Sequence, residues 1–135
     1  MARTHLLDTS VYSQPLNPRP LPSVQQRWNT LGEEVLAISA VTEAEVLFGL
    51  ELKQSKTLNQ LYNDLLKNKF PIIPVDDGVA ENFSKLKSAA RKRGHSCSDF
   101  DFLIAATAKT HRLILATLDF RHFSGMEGIL VENWS

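Results

Sequence analysis

Residues 98–117 read SDFDFLIAATAKTHRLILAT, and this stretch decides the architecture. Two aspartates, Asp99 and Asp101, stand directly ahead of an almost entirely apolar run, and Ser98 precedes the second of them by three residues. That spacing fits a helix N-terminus, where side-chain oxygens accept bonds from orphan backbone N–H groups and negative charge suits the dipole. An apolar helix is therefore expected from here, followed at once by the apolar strand LILAT at 113–117.

Working outward, the same alternation recurs. HLLDT reads as a strand, the proline-dense QPLNPRPLP as a loop, VQQRWNTL as a helix and EVLAIS as a second strand. TEAEVLFGLEL is expected to be helical. In SKTLNQLYNDLLKNK, Leu58, Leu61, Tyr62, Leu65 and Leu66 keep amphipathic helical spacing, so the two helices should form a hairpin around Gln54 and Ser55. PIIPV, hemmed by Pro71 and Pro74, suits an edge strand. A helix from Asp77 to Arg93 should bury Val79, Phe83, Leu86 and Ala90, with Gly94 as its left-handed cap, and ILVEN is the last strand. Strands that are apolar throughout, alternating with helices, predict an α/β fold with a mainly parallel central sheet covered on both faces. The whole of 1–135 is expected to be a single domain.

Fifteen basic and fifteen acidic residues leave a net charge of zero, so no overall field draws the chain onto nucleic acid; binding there must come from local patches or a metal. A lone cysteine, Cys97, favours a reducing setting and a packing role. No stretch has the length of a membrane span or the form of a signal peptide, which predicts a cytoplasmic protein with no membrane partner.

In a parallel sheet, ligands bind at the carboxyl ends of the strands. Asp8 closes the first strand and Asp119 closes LILAT; Glu45 and Asp101 are expected in the first turns of the helices after EVLAIS and after Ser98. Four carboxylates from distant parts of the chain should thus share one edge. Each has an ordinary explanation: Asp8 and Asp119 as turn residues, Glu45 in a capping box with Thr42. Together they repel one another unless something positive sits among them, and a hard divalent cation is the economical answer, Mg²⁺ with Mn²⁺ able to replace it. Periodicity alone leaves Asp99 against Asp101 and Glu43 against Glu45 undecided.

Five segments, LLDTS at 6–10, ISAVTEAEVLFGLE at 38–51, DFLIAATA at 101–108, LATLDFRHF at 115–123 and GILVENW at 128–134, occur in an order and spacing that resemble the PIN-domain ribonucleases, specifically the VapC-type toxins of bacterial toxin–antitoxin pairs. The resemblance implies a PIN-like three-layer α/β/α fold with a protruding helical hairpin. It places the family's acidic positions on Asp8, Glu45, Asp101 and Asp119, with Thr117 as the nearby hydroxyl, and so selects Glu45 over Glu43 and Asp101 over Asp99. Departures are HSCS at 95–98, where many relatives are richer in glycine and proline, and the long QPLNPRPLP loop.

The activity implied by this resemblance is that of a metal-dependent endoribonuclease leaving 5′-phosphate and 3′-hydroxyl ends. Asp8, Asp101 and Asp119 would be metal ligands, Glu45 would hold metal-bound water or a second ion, and Thr9, Ser10, Thr117 and Asp99 would support them. Arg91, Lys92 and Arg93 at a helix end and Arg121 and His122 beside Asp119 are the cations available for RNA, though the first three also suit the helix dipole. Trp28 and Trp134 are expected to pack. The resemblance further implies a homodimer silenced by a cognate antitoxin, with the hairpin at 42–68 as part of its groove. An alternative is a catalytically inert PIN-like module that binds RNA or protein. A phospho-receiver domain would need an acidic pair after the first strand, where LLDTS has a single acid.

Overall fold

In the computed structural model of the protein, which describes residues 2–135, five short strands line up in the order β3-β2-β1-β4-β5, and every neighbouring pair is parallel. They are β1 (His5–Leu7), β2 (Leu36–Ser39), β3 (Ile72–Ile73), β4 (Ile114–Thr117) and β5 (Val131–Asn133). The chain steps outward from β1 to β3 on one side, then crosses to β4 and β5 on the other. The order therefore reverses between β1 and β4, where a parallel sheet opens a crevice at its carboxyl edge.

Seven helices cover the sheet: α1 (Thr9–Tyr12), α2 (Pro22–Leu31), α3 (Ala40–Lys53), α4 (Lys56–Leu65), α5 (Asp77–Lys92), α6 (Asp99–His111) and α7 (Phe120–Ser124), counted among the described residues. Alternate strand residues feed two separate cores. Leu6, Ala37 and Leu115 join Val79, Leu86, Phe102 and Ile104 of α5 and α6. Leu7, Leu36, Ile38 and Ala116 join Tyr12, Val24, Tyr62 and Trp134 on the opposite face. Double coverage is why the strands read as continuous apolar runs. Trp134 and Trp28 both pack, as expected.

Local signals set the helix starts. Ser39, Ser55, Asp76 and Ser98 each accept a backbone N–H of the first turn. At Ser98 the donor is the Asp101 N–H, 3.2 Å from the hydroxyl oxygen. Capping at α6 thus falls to the serine and leaves the Asp101 carboxylate for other use. Gln54 (φ 50°) ends α3 in the left-handed region and opens the α3–α4 hairpin; Gly94 (φ 73°) follows α5 as its spacing predicted.

Several details differ from these expectations. α3 begins at Ala40 under a Ser39 cap, so Glu45 lies in the second turn and Thr42 is not the cap. Gln14–Leu16 forms a 3-10 turn inside the expected loop, and α2 starts two residues early at Pro22, whose fixed φ suits a first helical position. A second such turn, Glu33–Val35, trims EVLAIS to four strand residues. Phe83 and Leu58 are only partly buried, and Leu65 turns outward while its neighbour Leu66 is buried. α7 has no counterpart among the expected elements. Among the described residues no helix is long and apolar enough to cross a membrane.

Candidate active site

Asp8 ends β1 at the reversal point and lies deepest, 6% exposed. Its carboxylate is held by donors from both neighbouring segments: the Thr9 N–H to Oδ1 at 2.7 Å, and the Ser10 and Thr117 hydroxyls to Oδ2 at 3.0 and 2.8 Å. The Ser10 oxygen in turn accepts the Leu118 N–H, and the Thr117 oxygen accepts the Asp119 N–H. One small network therefore locks the end of β1 to the end of β4. The Ser10 and Thr117 hydroxyls and the Thr9 N–H thus bond the Asp8 carboxylate directly.

Glu45 reaches the same place from α3. Its Oε1 accepts the Thr9 hydroxyl at 2.7 Å, while the Thr42 hydroxyl lies 3.2 Å from that of Thr9. Glu43 points elsewhere: it is buried and accepts the phenol groups of Tyr12 and Tyr62 at 3.3 and 3.2 Å, knitting α1, α3 and α4 together. Burial, with the charge of Glu43, pushes Tyr62 up to about 12 and Tyr12 higher still. Geometry thus parts the two glutamates, Glu45 toward Asp8 and Glu43 into the core.

Asp101 and Asp119 complete the edge through His122. The imidazole lies between them, Nε2 at 3.1 Å from Asp101 Oδ2 and Nδ1 at 3.1 Å from Asp119 Oδ2. Only a ring carrying both protons can donate to both at once. His122 is therefore part of the acidic centre and not a surface residue beside it, a placement that depends on α7. Its carbonyl is approached by the His95 ring at 3.2 Å and the Cys97 thiol at 3.6 Å, which is what HSCS contributes here. Burial and the charges of Asp101 and Asp119 push that thiol up, and its contacts here are hydrogen bonds to the His95 ring and the His122 carbonyl.

The remaining residues separate cleanly. Asp99 faces outward and pairs with Lys87 of α5 at 2.8 Å. Arg93 donates to the Gly125 carbonyl at 2.8 Å, whereas Arg91, Lys92 and Arg121 are exposed.

Electrostatics show what the centre lacks. Burial pushes Asp8 above its ordinary value, and although bonds from Thr117, Ser10 and Thr9 pull down, the charge of Asp101 adds to the rise. Glu45 is raised by burial and by Asp8 and Asp101, against the pull of Thr9. Among the described residues no lysine or arginine pairs with any of the four acids. The donors are hard oxygens short of positive charge, which fits a magnesium- or manganese-like ion. Among the described residues no three acidic, imidazole or thiol groups lie close enough together to hold a metal ion by themselves, so an ion here would take several of its ligands from water, as magnesium does.

Comparison with known proteins identifies the family. The family model described as PIN domain matches residues 5–128. Among curated proteins the chain is 35% identical to Toxin FitB of Neisseria gonorrhoeae, covering 96% of this chain and 97% of that one. It is 27% identical to the tRNA(fMet)-specific endonuclease VapC of Shigella flexneri, again over 96% and 97%. Among solved structures, that of FitAcB from Neisseria gonorrhoeae superposes with a TM-score of 0.87 at 34% identity, covering 97% and 98% of the two chains. On its sequence, its fold and the extent of these matches, the chain belongs to the PIN-domain family.

Proposed function

We propose that this protein is an endoribonuclease of the toxin type, hydrolysing RNA phosphodiester bonds with a divalent cation, and that a cognate antitoxin and a second copy of the chain are its protein partners. The observation that carries the reading is the placement of Asp8, Glu45, Asp101 and Asp119 along one edge of the sheet at the crevice between β1 and β4, where among the described residues no lysine or arginine pairs with any of them. The relatives support it: they include a protein named as a toxin and others named as an endonuclease and a ribonuclease.

Asp8, Asp101 and Asp119 would hold the cation, with Glu45 beside it. When bound, such an ion makes a water ligand more acidic and offsets charge on the phosphoryl oxygens. The chain's own groups do the positioning. Thr117, Ser10 and the Thr9 N–H fix the Asp8 carboxylate in one rotamer, and the Thr9 hydroxyl engages Glu45 Oε1 and leaves Oε2 to orient the attacking water or take its proton. The raised Glu45 carboxyl is the better base for it. In-line attack by water leaves a 5′-phosphate and a 3′-hydroxyl.

Purified protein and an Asp101→Asn variant, prepared identically, are incubated with end-labelled transfer, ribosomal and messenger RNAs in Mg²⁺, Mn²⁺ or EDTA. Expected are metal-dependent products with 5′-phosphate ends, absent from the variant. Equal cutting by both proteins would reject the site; binding of RNA by wild type without turnover in either metal would identify an inert binding module instead.

A further inference from the structure

The cations of this chain are unevenly placed. Residues 82–98 hold Lys85, Lys87, Arg91, Lys92 and Arg93 and no acid, a third of the fifteen basic residues in a protein of zero net charge. A helix end accounts for some of them, but not for their faces. Lys87 and Arg91 are one turn apart on α5, where like charges repel. Both line a shallow trough whose floor on α5 is kept open by the small Ser84 and Ser88, and both continue into the adjoining hollow bounded by the 94–97 loop and Phe102.

That hollow borders the acidic centre through its His95 and Phe102. His95 on its rim reaches the His122 carbonyl, and the His122 ring sits on Asp101 and Asp119. Lys87 is held by Asp99, two residues before Asp101, but the Asp99 side chain is 59% exposed, and exposed pairs of this kind are weak and readily exchanged. Among the described residues no acid pairs with Arg91. Arg93, by contrast, is committed to the Gly125 carbonyl, and Lys85 lines neither hollow.

We propose that the trough between the C-terminal half of α5 and the 94–97 loop carries the RNA backbone away from the acidic centre, with Lys87 and Arg91 on its phosphates and Asp99 as a competitor for Lys87; this rests on the ribonuclease reading above. A partner peptide rich in acids would use the same cations, but the hollow borders the acidic centre through His95, which reaches the His122 carbonyl, and Phe102, the neighbour of Asp101, and that favours the substrate.

The test is binding of a labelled single-stranded RNA, followed by polarisation in EDTA across a salt series. Removing one phosphate interaction with a single strand lowers the slope of log affinity on log salt by roughly 0.7. Lys87→Gln and Arg91→Gln should each weaken binding and flatten the slope by about that amount, and the double variant by about 1.4. Lys85→Gln, the same charge change on the same helix, should leave the slope unaltered, and Asp99→Asn should tighten binding. Equal losses from Lys85→Gln would mean diffuse attraction and overturn the trough. If wild type binds and cuts RNA while the Lys87 and Arg91 variants behave like it, the trough fails and the ribonuclease reading stands; loss of poly-glutamate binding in those variants would then assign the surface to an acidic protein. If wild type neither binds nor cuts any RNA, both readings fall.

Discussion

Thr117→Val isolates what a neutral hydroxyl contributes to a buried carboxylate. Thr117 is fully buried, so valine keeps its shape and removes only the bond to Asp8 Oδ2 at 2.8 Å and the acceptor of the Asp119 N–H at 2.9 Å. A hydrogen bond to a charged group contributes about 1.5–3 kcal/mol. The Asp119 N–H lies at the exposed rim, where water can replace the lost acceptor, so a loss near 2 kcal/mol is expected overall. With 135 residues at about 2.1 cal/mol/K each, the unfolding entropy is about 0.28 kcal/mol/K, and the melting temperature in EDTA should fall by about 7 °C. The pH dependence supplies a second check. The folded Asp8 carboxyl lies above its ordinary 3.8, so ionising it weakens the fold as pH climbs from there through the folded value. Removing the Thr117 bond raises the folded value further, so the variant should lose more stability than wild type across that window, and the two curves should converge at lower pH. A deficit that persists unchanged with Asp8 protonated, or no deficit at neutral pH, would show that the hydroxyl does not support the carboxylate.

Three further outcomes can be measured alongside. Asp8→Asn should melt higher than wild type at neutral pH in EDTA, because the buried charge is gone and asparagine still caps α1, yet cut RNA at least about 100-fold more slowly, the equivalent of roughly 3 kcal/mol of transition-state stabilisation. Glu132→Gln should lower stability by about 1 kcal/mol at pH 7 in a denaturant titration. Burial alone would raise that carboxyl, but Trp134, Arg27 and His5 all bond its Oε1 and hold it below its ordinary 4.5, so the difference should vanish as pH falls below 4.5 through the folded value. Tyr62→Phe leaves the buried Glu43 with one phenol donor in place of two and should lose about 1–3 kcal/mol by the same titration; an unchanged midpoint would mean the bond across α3 and α4 carries no weight.

The parts of the fold that are legible in the sequence are those whose signals are local. The 98–117 stretch declares itself because α6 and β4 are buried on nearly every side and Ser98 is a cap by spacing alone. Acids at strand ends follow from the parallel sheet. The glutamate pair does not yield to periodicity, because the phase of α3 is set by Ser39, and both rows contain apolar residues although Phe48 and Leu52 beyond Glu45 are two-thirds exposed or more. α7 has five residues and no periodicity to read, so the position of His122 between Asp101 and Asp119 is out of reach of the sequence, as is the pairing of Asp99 with a lysine from another helix.

The choice of hydroxyls around Asp8 has its own logic. An arginine or lysine in place of Ser10 or Thr117 would neutralise the carboxylate and stabilise the empty crevice, but the same fixed charge would oppose a cation there. Hydroxyl and backbone donors lower the burden of burying Asp8 without adding charge, and they leave it above its ordinary value, still short of a counterion. Among the described residues the one side chain at the centre able to carry positive charge, His122, sits on the two outer acids, the more exposed Asp101 and Asp119, and not on Asp8. If the proposed cation binds in this crevice, an added divalent ion should raise the melting temperature of wild type and leave Asp8→Asn nearly unmoved. Equal shifts in both proteins would place the ion away from Asp8 and remove the electrostatic case for this centre.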